Sequence, residues 1–573
     1  MKNAEIIEIL ENIAVLLELK SESFFKSRAY QKAARSIESL AEDVDKLVAE
    51  GRLQEIPGVG EAISKKLTEL VSTGRLDYYE KLKAEFPPGI NVLMEVPGIG
   101  PRTALLLTKE LGISHVDDLE KAIEDGKVAA LPRMGEKTAH NILRQIKAYR
   151  KIKSEQRVPL GTALPIAEAL MEEMRSIPGL KQLSLAGSLR RFKDTIGDID
   201  LVGTADDPET ALKTFTSLPV IKEIQEIDRT KASVIIFNGL QVDLRMVEND
   251  SFGSALQYFT GSQQHNIDLR TRAERFGLSL SEYGIVNLPG GEIEKFSTEE
   301  SFYKRQGLHF IPPELREGQP EISLAEKNLL PHLIELADIK GDLHVHSDWS
   351  DGAGSLETML GAARERGYQY IAITDHSPGL GIAGGLDIDR LHQQAKLIDE
   401  LNMKNPDIRI LSGIEVDIRA NGTLDVPDEV LAELDVVVAS VHSGLNQGIE
   451  QMTRRILSAI HNPHVDILGH PTCRLLGQRE PVDLDIEAIF KAALEHNTAL
   501  EINAMPSRLD LKDTHIYKAR QTGVKLVIAT DSHHPEHFKF MRFGVGMARR
   551  GWCEAKDILN TLPADQFLTA LKR

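Results

Sequence analysis

Between residues 342 and 534, seven apolar runs separated by helix-like stretches limit the possible fold more than any other feature. They are "DLHVHS", "YIAITDHS", "RILSGIEV", "DVVVASVHS", "VDILGHP", "ALEINA" and "KLVIATDSHH". Short Val- and Ile-rich runs without strict alternation are the pattern of strands buried on both faces. Seven of them alternating with helices predict a closed or nearly closed α/β barrel, whose strand C-termini gather at one rim. Nearly every run ends in a residue able to bind metal. His344, His346, Asp351, His376, Glu415, His442, His470, Asp531 and His533 are therefore predicted to converge although they lie far apart in the chain. A lone histidine at a strand end is more often simply hydrogen-bonded, but nine donors at successive ends outweigh that reading. Imidazole plus carboxylate suits Zn²⁺, Mn²⁺ or Fe²⁺ rather than Ca²⁺, and nine donors exceed what one ion takes, so two or three ions are expected.

A second constellation lies upstream in "LAGSLRRFKDTIGDIDLVG" (185–203). Asp198 and Asp200 are two apart on a strand-like run, so the period of two puts both carboxylates on one face and Ile199 and Leu201 on the other. Two like charges on one face are costly without a cation between them. Gly187 and Ser188 form a small turn able to approach a phosphate, and Arg190 and Arg191 follow. In "ASVIIFNGLQVDLRMV" (232–247), Asn238-Gly239 between apolar runs predicts a hairpin whose returning strand brings Asp243. Three carboxylates on adjacent strands suit two Mg²⁺ or Mn²⁺ ions about 3.5–4 Å apart, an arrangement for phosphoryl transfer.

The first 150 residues contain an internal repeat. "LQEIPGVGEAISKKLTELVSTG" (53–74) is echoed by "LMEVPGIGPRTALLLTKELG" (93–112) and, more faintly, by "AALPRMGEKTAHNILRQI" (129–146). Each copy reads as helix, glycine turn, helix, with backbone N–H groups exposed at the start of the second helix, where an anion is favoured. Gly58, Gly60 and Lys65 of the first copy, and Gly98, Gly100 and Arg102 of the second, are the candidate DNA-backbone contacts. Residues 127–157 add nine basic residues against two acidic ones, a local patch on a chain of net charge −18.

The chain is 573 residues long, which predicts several domains. Its two cysteines cannot build a disulfide framework. The opening helix mixes Glu and Lys into its apolar residues, and no long uncharged apolar run occurs, so a soluble, cytoplasmic protein without membrane association is expected.

"GSLRR", "GDIDL", "VDLR" and "YFTGSQQHNIDLR" (258–270) together resemble the palm and thumb of family X DNA polymerases. The resemblance implies that Asp198, Asp200 and Asp243 bind two metal ions, with Asp243 also activating the primer 3′-hydroxyl. It implies that Gly187, Ser188, Arg191 and Gly197 hold the triphosphate. Tyr258, Phe259 and Gly261 would shape the nucleotide pocket, the first two by excluding the ribose 2′-hydroxyl; Asn266 would contact the incoming base and Arg270 the template side. Lys66 stands at the position of that family's 5′-deoxyribose phosphate lyase nucleophile, with Lys26 and Tyr30 as supporting residues. Ala62 and Tyr78 replace further lysines, which thins the positive pocket that such a nucleophile needs.

The seven runs with their nine donors resemble the PHP (polymerase and histidinol phosphatase) family. That resemblance implies one ion on His344, His346, Glu415 and Asp531. A second would share Glu415 and add His442 and His470, and a third would use Asp351, His376 and His533. The expected architecture is multidomain α+β and α/β. It comprises an N-terminal helix-hairpin-helix domain (1–88), a second such domain (89–157), a nucleotidyltransferase palm (158–250), a thumb (251–317), a linker (318–337) and a distorted (β/α)7 barrel (338–573). The expected function is short-gap DNA synthesis in base-excision-type repair from dNTPs on gapped or primer-template DNA, coupled to a metal-dependent 3′–5′ exonuclease that also acts on abasic sites or 3′ phosphates, in a monomeric enzyme. The alternative is a small-molecule phosphoesterase, like a histidinol phosphatase, tethered to DNA by a degenerate polymerase module.

Overall fold

The computed structural model describes residues 3–571 apart from 21–23, 39–43, 50, 74–75, 85–92, 94–95, 97–98, 100, 114–115, 132–133, 155–156 and 238. None of its helices is long and apolar enough to cross a membrane among the described residues.

Up to Ser154 the described elements are helical. The three repeats close their turns with one and the same hydrogen bond: Val59 N–H donates to the Ile56 carbonyl at 3.0 Å, Ile99 to Val96 at 3.0 Å, and Met134 to Leu131 at 3.1 Å. In each, two apolar residues three apart bracket the turn; all are buried except Leu131, which is half-buried. The following helices are Glu61–Thr73, Pro101–Leu111 and Gly135–Ser154. The first two copies head two separate hydrophobic clusters, one around Ile56 and Val59 and one around Val96 and Ile99.

The palm begins with β1 (Val158–Pro159), β2 (Leu180–Leu185), β3 (Thr195–Ile196) and β4 (Asp198–Ala205), and continues with β5 (Ile221–Ile227), β6 (Lys231–Ile236) and β7 (Gln241–Met246). Five of them form a sheet of order β2-β4-β7-β6-β5, in which only β4 and β7 run parallel. The helix Leu160–Met174 packs on it through Leu160, Ala163, Leu164, Ala167, Leu170 and Met174, a helical stripe three and four residues apart. The expected β6–β7 hairpin is present, although Asn238 at its tip lies outside the described residues.

The thumb holds β8 (Leu278–Ser281), β9 (Gly284–Asn287) and β10 (Ile293–Glu294) with three helices. The stretch expected as a linker is folded: Glu321–Glu326 joins the thumb, while Ile334 N–H donates to the Cys553 carbonyl at 3.0 Å and ties the end of the stretch to the barrel. Helix Glu321–Glu326 is tied to the thumb: His265 Nδ1 lies 2.8 Å from Glu321 Oε1, and both side chains are buried. Ala325 and Leu333 join the thumb core together with Trp552 of the barrel. A buried acid that meets a buried histidine cannot be read from a Pro- and Glu-rich segment, because its partner lies 56 residues away.

The seven apolar runs become β11 (Gly341–Val345), β12 (Tyr370–Ile373), β13 (Arg409–Asp417), β14 (Val436–Ser440), β15 (Ile467–Leu468), β16 (Ala499–Asn503) and β17 (Leu526–Ala529). They pair in sequence order, all parallel, and a parallel bridge between Val345 and Ser532 brings the last strand back to the first. Side chains alternate between two cores. Leu343, Tyr370, Ala372, Leu411, Val436, Val438, Ile467, Ala499, Val527 and Ala529 fill the barrel, where the ring of Tyr370 stacks on Phe567 of the C-terminal helix at 5.5 Å. Val345, Ile371, Ile373, Ile410, Ile414 and Val437 face outward to the helices.

One continuous buried cluster runs from Leu160 through the palm sheet and across the barrel's outer layer to Ile558. Two helical glycines allow the approach. A Cβ on Gly161 would collide with Pro506, and one on Gly546 with the ring of Phe192. Polar pairs flank this apolar seam: Arg474 with Asp194 at 2.9 Å, Arg549 with Glu314 at 2.7 Å and Arg542 with Glu168 at 2.9 Å.

Candidate active sites

In the palm, parallel pairing sets Asp200 directly beside Asp243, with Asp198 one pleat away on the same face. Carboxylate oxygens of the three lie within 4.8 Å of one another. Burial, and then the charges of Asp198 and Asp243, push Asp200 up to about 7; burial and Asp243 likewise raise Asp198. Such crowding is destabilising for the bare chain and is relieved by divalent cations, so the donor set fits metal. Ser233 Oγ donates to Asp243 Oδ1 at 2.5 Å, and Gln241 Nε2 to the same oxygen at 3.1 Å, which leaves Oδ2 facing the cluster. Both donors were missed in the sequence. The alternation of β6 could have signalled Ser233, a polar residue at a core position directly opposite Asp243.

The turn Gly187–Arg190 faces these carboxylates. Gly187 has φ +57°, and a Cβ there would strike Asp200 Oδ2, so glycine is required on two counts. Ser188 Oγ is shielded and has no hydrogen-bond partner. Arg191 donates from Nη1 to the Thr260 carbonyl at 2.5 Å and from Nε to Glu317 Oε1 at 3.0 Å. Gly197 sits between β3 and β4, with Arg157 Nη1 3.3 Å from where its Cβ would be. Tyr258 and Phe259 meet edge to face at 5.2 Å, and Gly261 follows at φ +70°. Asn266 Nδ2 donates to the Tyr258 carbonyl at 2.8 Å, and Tyr258, Asn266 and Arg270 line one recess. Behind them Arg190, Arg316 and Glu299 form a buried network that the sequence did not reveal: Arg190 Nη1 lies 2.9 Å and Arg316 Nη1 2.6 Å from Glu299 Oε1.

At the barrel rim all nine predicted donors come together. Glu415 is the hub: His376 Nδ1 lies 2.8 Å from Oε2, while His470 Nε2, His442 Nε2 and His344 Nε2 lie 3.1, 3.2 and 3.4 Å from Oε1. His346 Nε2 is 3.2 Å from Asp531 Oδ1, and Asp351 Oδ1 receives His533 Nε2 at 3.4 Å and His376 Nε2 at 3.6 Å. Three donor sets are compact enough for an ion: His346, Asp351, His376 and His533; His344, His346 and Asp531; and His376, Glu415 and His442. These overlap the expected partition, with His346 and His376 each reaching two sets. His344 Nε2, both nitrogens of His346 and Glu415 Oε2 are buried without hydrogen-bond partners, the state of lone pairs aimed at a cation. Burial, and then His533 and His376, push His346 down to about 3, which keeps it in the neutral ligating form.

A second layer fixes which nitrogen points inward. His344 Nδ1 is held by Glu501 Oε1 at 2.7 Å, His442 Nδ1 by Asp417 Oδ1 at 3.3 Å and His533 Nδ1 by the Asp531 carbonyl at 2.8 Å. Glu501 had a legible signal, an acid inside the apolar run "ALEINA". Arg508, 3.4 Å from Asp531 Oδ2, had none. His470 (φ +25°) and Asp531 (φ +53°) hold left-handed backbone at the strand ends, a strained geometry of the kind found at functional sites.

In the helical region, Gly58 has φ +84°, Gly60 stands in open space, and Lys65 is exposed and paired with Glu61. Gly98 and Gly100 lie outside the described residues, as does the side chain of Arg102. Lys66 Nζ sits 4.2 Å above the Tyr78 ring and 5.4 Å above that of Tyr30.

Known families align with this architecture. A helix-hairpin-helix domain matches residues 1–76, and a SAM-like helix-hairpin-helix tandem matches 90–148. A DNA polymerase beta thumb matches 255–317, and a PHP domain matches 342–505. "Probable phosphatase" proteins of Thermoanaerobacter sp. (strain X514) and Clostridium acetobutylicum are 35% and 31% identical over 34% of this chain, covering 78% of each relative. The "DNA polymerase/3'-5' exonuclease PolX" of Bacillus subtilis (strain 168) is 41% identical over 575 residues, all of both chains. Thumb, helix-hairpin-helix and PHP regions thus occur in one order along an end-to-end match, and the protein belongs to the family X DNA polymerases that carry a C-terminal PHP domain.

Proposed function

We propose that the chain extends DNA 3′ ends from dNTPs at Asp198, Asp200 and Asp243, and removes 3′ nucleotides at the barrel rim. The observation that carries this reading is the presence of two donor sets in one molecule, the three crowded carboxylates of the palm and the rim cluster with its unpartnered histidine nitrogens. In the palm, Asp198, Asp200 and Asp243 would hold two Mg²⁺ or Mn²⁺ ions. When bound, these supply charge neutralisation for the attacking and leaving oxygens. Asp243, pinned by Ser233 and Gln241, is the group placed to take the proton of the primer hydroxyl. Ser188 Oγ, the Gly187 turn and Arg191 bind the triphosphate, and the paired rings of Tyr258 and Phe259 set the sugar's position. At the rim the nine donors would hold two or three Zn²⁺, Mn²⁺ or Fe²⁺ ions. Glu501 and Asp417 orient their histidines, and Arg508 is placed to take up a phosphate oxygen.

DNA is the favoured substrate of the barrel over a small phosphate ester for a specific reason. The helical region reaches the rim: Arg28 Nη2 donates to the Gly381 carbonyl at 3.2 Å, Arg144 pairs with Asp483 at 2.5 Å, and the charge of Arg35 helps lower Asp351. This basic edge compensates for the acidity of the chain. We also propose the domain limits given above, with 318–337 counted as part of the thumb, and a monomeric cytoplasmic enzyme of gap repair. The lyase reading has less support, because Ala62 and Tyr78 stand where further lysines would build the positive pocket of a Schiff-base nucleophile. Borohydride trapping on a 5′-deoxyribose phosphate end decides it.

Primer extension on gapped DNA tests the palm. Asp198→Ala with Asp200→Ala is expected to abolish extension and to leave 3′ digestion; undiminished extension would overturn the assignment. Conversely, His344→Ala with His346→Ala is expected to abolish digestion of a 3′ end while extension continues, and chelation should remove both activities.

A further inference from the structure

The triphosphate arginine of the palm is braced from the barrel. Arg191 is held by the Thr260 carbonyl, which accepts from Nη1 at 2.5 Å, and by Glu317, whose Oε1 accepts from Nε at 3.0 Å. The same oxygen accepts from Arg550 Nη1 at 3.0 Å. Arg550 closes the barrel helix Met541–Arg550, its side chain is 2% exposed, and Nη1 also donates to the Arg191 carbonyl at 2.6 Å. On its other side Arg550 Nε donates to Asp513 Oδ2 at 3.0 Å, and Nη2 donates to the same carboxylate. Lys193 Nζ approaches Glu317 Oε2 at 3.7 Å. Burial alone would raise the Glu317 carboxyl, but Arg550, Arg191 and Lys193 outweigh it and hold it below its ordinary range.

We propose that Arg550 is a positioning residue of the polymerase site, through which the PHP barrel presets Arg191 for the nucleotide triphosphate. One guanidinium holds both the backbone of the phosphate-binding turn and the acid that aims Arg191. Arg191 in turn reaches Asp200 electrostatically, so its placement bears on the cluster itself. Without Arg550, Glu317 has only Arg191 and Lys193 left and is free to draw Arg191 out of line. A planar fork with three partners explains the choice of arginine, since a lysine ammonium cannot span them. The barrel would then contribute to synthesis without any of its rim donors taking part, and the polymerase site would be incomplete in a chain lacking residues 513–550.

This inference rests on the reading of Arg191 as a triphosphate ligand, so the experiment carries both. Steady-state gap filling is measured on the full chain for wild type, Arg191→Ala, Arg550→Lys and Arg550→Met with Asp513→Asn. The double substitution removes a buried charge together with its partner and so protects folding. The KM for dNTP is expected to rise about tenfold in the double variant and less in Arg550→Lys, with kcat changed by less than about threefold. The rate of 3′ digestion of single-stranded DNA and the thermal midpoint should stay near wild type. An unchanged KM in the double variant beside a raised KM in Arg191→Ala overturns the brace. An unchanged KM in Arg191→Ala overturns the reading beneath it and the brace together. A parallel loss of synthesis, digestion and thermal midpoint assigns Arg550 a structural role only and also overturns the proposal.

Discussion

Single residues decide both centres by geometry more than by type. At Gly187 the left-handed backbone and the contact with Asp200 leave no room for a side chain. Gly187→Ala is therefore expected to cost about 10²-fold in extension, since a displacement of an ångström in a positioned group has that order of effect. The checking measurement is single-nucleotide incorporation, with 3′ digestion by the same preparation as the internal standard. Wild-type incorporation by the variant would mean that the turn does not face the reacting groups. The nine rim residues stood out as His, Asp and Glu side chains in or shortly after apolar runs, whereas Arg508, four residues after "ALEINA", is not of a metal-binding type. Ser233 and Glu501 were available in principle as polar residues in strand positions, and only the pairing of neighbouring strands says what they touch.

At the scale of elements, the thumb and the segment after it form one unit sealed by a neutral histidine. Burial lowers the pKa of His265, which lies 2.8 Å from Glu321 and 2.9 Å from the Tyr303 hydroxyl. The unfolded chain then binds the proton more readily than the folded one. The stabilising contribution is present above the ordinary histidine pKa of about 6.5 and is lost as pH falls below it. His265→Gln keeps a donor and an acceptor but does not titrate. Its thermal midpoint is expected to be lower than wild type at neutral pH and to fall less between pH 7.5 and 5.5. A wild-type slope in the variant would assign the acid sensitivity elsewhere. The connector was read as a linker because proline and glutamate are common in exposed segments. Its burial depends on a partner helix that local composition cannot name.

At the scale of the whole molecule, the palm and barrel share an apolar seam that two glycines make possible. Gly546→Ala sets a methyl against the Phe192 ring and is expected to cost about 1–3 kcal/mol through overpacking. Thermal unfolding reads this as a lower midpoint, and an unaltered midpoint would show that the seam yields without cost. What the sequence alone determined is whatever is written locally: the seven strands, the two-residue spacing of Asp198 and Asp200, the three repeated turns, and the His, Asp and Glu side chains near strand ends. Unbroken apolar runs, the strand period of two and a repeated turn motif each lie within a short stretch of chain and so are written there directly. Only the tertiary structure decided how Glu415 serves four histidines, how Arg550 reaches Arg191 and Glu317, and how the helical region meets the rim. Such contacts join residues tens to hundreds of positions apart, and their energy depends on shape and on paired charges in low-dielectric surroundings, neither of which has a periodic trace in the sequence.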